Sequence, residues 1–198
     1  MYMSHLQQPT TDLCVGLNAL GQQLQLNLEM SRRDNRRNLV IILFSHVLDL
    51  YQRALGSAER GQIAETRALL TEIIDAAFAT AAVISKPDIA FDFFDTDDVQ
   101  RIFHRKTRQA LPRNVRDRIK TLSAPALSAQ AGLAEYYKAV DQIAVRARSR
   151  DDLDALMIPA CESLFLAARQ VADFFAVHEL DAEFREYMES YSALIARH

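Results

Sequence analysis

Five glycines in 198 residues are too few and too scattered to build a loop that cradles phosphates. No Gly-x-Ser-x-Gly elbow, Walker loop or dinucleotide fingerprint occurs, which leaves hydrolysis and nucleotide chemistry without a motif. Glu-x-x-His is missing too, and with it the pattern by which paired helices hold two metal ions. Cysteine is nearly absent. Cys14 and Cys161 each sit in a helical apolar pattern with no histidine nearby in sequence, and read as two reduced, buried and inert thiols. Period-two alternation of strand length and any repeat of fixed period are lacking, which excludes a sheet or a solenoid. Lysine is scarce: Lys86, Lys106, Lys120 and Lys138 apart, the 23 basic residues are arginines. Arginine suits bidentate recognition of carboxylate and phosphate, and a GC-rich genome gives the same bias.

The first twelve residues, MYMSHLQQPTTD, lack the basic start and apolar core of a signal peptide. The longest apolar run, Leu39 to Phe44, is interrupted by Ser45, His46 and Asp49, so no membrane span is expected and the chain reads as cytoplasmic. With 49% apolar and 25% charged residues and a net charge of -3, it has the make-up of an ordinary globular protein. Nothing divides it, so residues 1–198 are expected to form a single helical domain with 1–10 disordered.

The chain is organised around Asn38 to Leu55, its most apolar segment, which reads as the most buried helix, closed by Gly56 as a left-handed C-cap. Before it, Thr11 or Asp12 caps a helix to about Met30, and Ser31 to Asp34 cap the central one. After it come a tight SAERG connection and a helix from about Gln62 to Ser85, stopped by Pro87. The second half of that helix is alanine-rich, which would let a neighbour approach closely. Helices are also expected at 96–110, 115–122 and 133–147, then from Asp151 or Asp152 to His178 with Pro159 near its start or kinking it, and from Asp181 onward. The fold class is all-α, an antiparallel bundle of seven to nine helices.

His46 and Asp49 lie three apart on the central helix, a spacing at which a carboxylate could orient an imidazole. Arg67, Glu72 and Asp75 follow on the next helix, and the five are candidates for a polar core. No second His or Cys stands at ligand spacing, so no metal, cofactor or catalytic residue is assigned. Between residues 101 and 120, Arg101, His104, Arg105, Arg108, Arg113 and Arg116 gather with a single acid, Asp117, as a candidate face for an anionic partner. Arg32, Arg33, Arg36 and Arg37 form a second basic cluster. Phe91, Phe93 and Phe94 in an acidic stretch, and Tyr187 and Tyr191 on the last helix, are candidate contacts for a protein.

The segment from Asn38 to about Ala110 resembles a family of uncharacterised bacterial all-helical domains in the order of its features. These are Ser45-His46 on an apolar helix, the Arg60-Gly61 turn, RALLTE with Arg67 and Glu72, the Lys86-Pro87 stop, and an aromatic, acidic segment before a basic helix. More remotely, the architecture is similar to the HEPN class of helical bundles found in prokaryotic toxin and defence systems. RNA-cleaving members carry an Arg four to six residues before a His, and this chain departs from that motif: Arg101 stands three before His104, Arg37 nine before His46, and Arg169 nine before His178. The resemblance therefore implies a non-catalytic member, a regulator or inhibitor in a toxin or phage-defence setting. The expected function is a non-enzymatic cytoplasmic helical module that binds a protein, with self-association possible. The competing expectation is a nucleic-acid-binding or RNA-processing protein acting through the basic 101–120 face.

Overall fold

The structure, a computed structural model, describes residues 5–29, 34–85, 139–140, 142–149 and 152–196. Five helices occupy most of them: α1 (Gln8–Glu29), α2 (Asn35–Glu59), α3 (Ile63–Ser85), α4 (Leu153–Phe175) and α5 (Asp181–Ile195). Helical residues at 139–140 and 142–146 bring the number among the described residues to six, which does not match the seven to nine expected. The all-α class holds among the described residues, which contain no strand. The helices expected at 96–110 and 115–122, and residues Phe91, Phe93 and Phe94, lie outside the described residues.

Local chemistry sets the helix ends, not always where the sequence pattern puts them. α1 starts at Gln8, ahead of Thr11 and Asp12, because Pro9 fits a first turn and the Gln7 N–H is accepted by Asp154 Oδ1 at 3.1 Å, from 147 residues away. Leu6 and Thr10, in the stretch expected to be disordered, are buried. Asp34 caps α2 as expected, its side chain accepting the Arg37 N–H at 2.8 Å. Gly56 does not end that helix. Ser57 and Ala58 are fully buried and draw another turn into the core, and the left-handed residue is Gly61, at φ 73°. Thr66 Oγ1 donates to the Gln62 carbonyl at the start of α3. Asp152 precedes α4 but turns its carboxylate to the Ser149 and Arg148 N–H groups, which hold it below the usual carboxylate range. α4 carries Pro159 inside it and stops at Phe175, short of His178, where Ala176 turns left-handed at φ 56°.

α2 packs against α1, α3 and α4, and its whole Leu39 to Phe44 run is buried. It is the centre of one hydrophobic cluster spanning all five helices. Three helical segments, Arg36–Glu59, Ile63–Ser85 and Leu153–Phe175, are nevertheless long and apolar enough to cross a membrane. This corrects the expectation of a cytoplasmic chain without a membrane span. Ser45, His46 and Asp49 interrupt the short run but leave the helix apolar when it is averaged over a membrane's thickness. More than half of each apolar window is covered by the rest of the bundle.

Two glycines of α1 differ sharply in their surroundings. A Cβ on Gly21 would stand 2.8 Å from Leu48 Cδ1, so α1 and α2 approach closely there, whereas a Cβ on Gly16 would meet nothing within 4 Å. Gly16→Ala is therefore expected to raise the unfolding free energy by about 0.5–1 kcal/mol, the usual helix-interior difference between the two residues. Gly21→Ala should gain less than that or destabilise, since buried Leu48 must shift. Urea denaturation of the two variants checks the contrast.

Candidate functional site

The sequence candidates scatter. His46 is buried on α2, while Asp49, one turn further on, is exposed. Arg67 is exposed and reaches the Ala144 carbonyl at 3.4 Å, tying α3 to the 142–146 stretch. Glu72 and Asp75 are half-buried on the same helix. Among the described residues, no three His, Cys, Asp or Glu side chains gather as a metal site would require. Arg36 serves the fold: it donates to the Ile84 carbonyl at 2.6 Å and lies 5.0 Å over the Phe174 ring. Arg37 lies 5.8 Å over Phe175. Arg32 and Arg33, with Arg101, His104, Arg105, Arg108, Arg113 and Arg116, lie outside the described residues.

A site does form around α5. The aromatic spacing of this helix seats it on α4. Phe165 meets Phe184 edge-on at 5.7 Å and stacks on Tyr187 at 5.1 Å, and Tyr187 in turn stacks on Tyr191 at 6.5 Å. Arg169 bonds Asp181 at 2.6 Å and Asp173 at 3.0 Å and covers the Phe184 ring at 5.4 Å. Tyr191 donates to Glu162, and partial burial with that hydrogen bond raises the tyrosine's pKa. Of the two tyrosines expected to contact a partner, Tyr187 is thus buried and Tyr191 half-buried.

Seated this way, α5 leaves a groove of about 550 Å³ between itself and α1. Leu13, Leu20 and Leu194 give it an apolar wall, and Gly16 and Ala19 keep the α1 side shallow. Its charged lining residues, Asp12, Glu183 and Glu186, are all acidic. One lining residue, Glu183, also carries a buried polar atom without a hydrogen-bond partner, its Oε2. Such an atom costs free energy until something satisfies it. On the other side of α5 a smaller apolar pocket of about 270 Å³ is lined by Glu162, Phe165, Leu166, Tyr187, Met188 and Tyr191. Amphipathic spacing shows the buried stripe of α5 but not the groove, which depends on how α5 packs against α1.

Beneath the groove, the two cysteines meet. Cys14 Sγ and Cys161 Sγ are 3.5 Å apart, both without solvent exposure, and the Tyr51 hydroxyl lies 3.1 Å from Cys161 Sγ and 3.2 Å from the Cys14 carbonyl. They are free thiols, each the other's neighbour, a pairing across 147 residues that no local pattern reveals. The hydrogen bond to Cys161, with burial, pushes the Cys14 thiol far above its usual range. Burial, and then the Cys161 sulfur, push the Tyr187 hydroxyl up likewise. No family model, curated protein or solved structure matches the chain.

Proposed function

We propose that this chain is a helical binding module that receives a basic amphipathic helix of a partner protein in the groove between α1 and α5. One observation supports the reading above the others: an apolar groove whose charged lining is acidic throughout and whose wall holds the unpaired Glu183 Oε2. Leu13, Leu20 and Leu194 offer an apolar strip for the buried face of a docking helix. Asp12, Glu183 and Glu186 favour lysine or arginine at its flanks, and an incoming donor relieves Glu183 Oε2. The rest of α5 repeats the sign, with Asp181 and Glu189 against one base, Arg185.

The test uses a labelled leucine–lysine amphipathic peptide and its leucine–glutamate counterpart. The basic peptide is expected to bind, more weakly as salt rises, and the acidic one not to bind. Glu183→Lys with Glu186→Lys should reverse the preference. Equal binding of both peptides, or of neither, would overturn the reading. The competing reading, an anionic partner held by Arg101, His104, Arg105, Arg108, Arg113 and Arg116, predicts instead steeply salt-dependent RNA binding that these α5 variants leave untouched.

A further inference from the structure

The chain holds two cysteines, and the fold puts both at one point, in contact, between α1 and α4. We propose that Cys14 and Cys161 form an oxidation-sensitive dithiol, which a hydroperoxide converts to a disulfide that ties α1 to α4 beneath the groove. The proposal rests on the geometry of the pair and stands whether or not the groove binds a helix.

The sulfurs need to close by only about 1.5 Å to reach bonding distance. Protons are already arranged for the reaction. With both thiols protonated, Cys14 donates to the Cys161 sulfur, Cys161 to the Tyr51 oxygen, and Tyr51 to the Cys14 carbonyl, so every donor has an acceptor. When Cys161 loses its proton, the single Tyr51 proton can swing to that sulfur while Cys14 continues to donate. The Cys161 thiolate then has these two donors and the Tyr187 hydroxyl as a third. Cys14, whose thiol is held protonated, has no comparable support. Cys161 is therefore the attacking sulfur and Cys14 the resolving one.

The Cys161 thiolate attacks the terminal peroxide oxygen; the S–O bond forms as the O–O bond breaks, and the leaving oxygen takes up the proton that Cys161 released and departs as an alcohol, or as water when the oxidant is hydrogen peroxide. The Cys14 sulfur then attacks the sulfenic sulfur, the S–S bond forms, and the hydroxyl leaves as water with the Cys14 proton. The sum is two thiols and one hydroperoxide giving one disulfide, one water and the reduced form of the peroxide, which is a second water for hydrogen peroxide. Both sulfurs lack solvent exposure, so a peroxide reaches them only as the packing opens, and the route in this proposal is the α1–α5 groove, whose wall includes Leu13, next to Cys14, and Tyr187, which hydrogen-bonds Cys161. A small peroxide suits such a route and a bulky oxidant does not.

The full chain is treated with hydrogen peroxide, its remaining thiols are blocked and counted under denaturing conditions, and its peptides are mapped by mass. The expected result is a fall from two thiols to none and a crosslinked Cys14–Cys161 peptide, reversed by dithiothreitol. Two persisting thiols, or separate sulfinic acids on unlinked cysteines, would overturn the proposal. Cys14→Ser should trap a dimedone-reactive sulfenic acid on Cys161; the wild-type peptide map decides the matter if that variant fails to fold. Tyr51→Phe, which keeps the ring, should slow disulfide formation several-fold, and an unchanged rate would remove Tyr51 from the mechanism.

Discussion

Phe44→Ala is expected to lower the unfolding free energy by about 3–5 kcal/mol, the range for deleting a buried aromatic side chain. Phe44 has no solvent exposure and closes the apolar run of α2, the helix that packs on α1, α3 and α4 at once. None of these helices can move into the void without leaving another neighbour, so collapse around the cavity is limited and the cost falls at the upper end. Against a typical total of about 5–15 kcal/mol, such a loss is a large share of the stability. Chemical denaturation reads it directly; a loss below about 1 kcal/mol would mean that α2 is not the centre of the core.

Ala79→Leu tests the other half of the packing, with an expected cost of about 1–3 kcal/mol from overfilling. Ala76, Ala79 and Ala82 on α3 are buried, and α4, which packs against this helix, buries Ala160, Ala167, Ala168 and Ala172. Short side chains on both helices bring their backbones close, and a leucine at a fully buried position there must push them apart. Ala182→Leu, at an exposed position of α5, is the control and should stay within about 0.5 kcal/mol of the parent. Equal effects at the two positions would show that the alanines reflect helix propensity and not close approach.

Both predictions rest on features visible in the sequence. The Leu39 to Phe44 run marks the central helix, and the alanines of α3 mark a close neighbour, because burial and side-chain size act over one or two turns. What the sequence did not show depends on contacts between distant residues. Asp154 caps α1 from another helix, Cys14 meets Cys161, and the groove forms where α5, seated on Phe165 and Arg169, also packs against α1. Gly56 misled for the same reason: the turn after it is buried by neighbouring helices, and tertiary burial overrode a local stop signal. Asp49 shares a helix side with His46, yet three residues on a helix are enough to pass from the buried arc to solvent. The membrane expectation failed on scale, since an interrupted six-residue run says little about the average over a whole helix.

The central claim is that the α1–α5 groove is where a partner helix docks, and Gly16→Phe tests it most directly. Position 16 lines the groove, and a side chain there grows into open space, so the ring fills the docking strip without disturbing the core. Binding of the labelled leucine–lysine peptide to this variant is the measurement, with circular dichroism confirming the fold. At least tenfold weaker binding, about 1.4 kcal/mol, with unchanged helicity is the predicted result. Wild-type affinity in the folded variant would contradict the account.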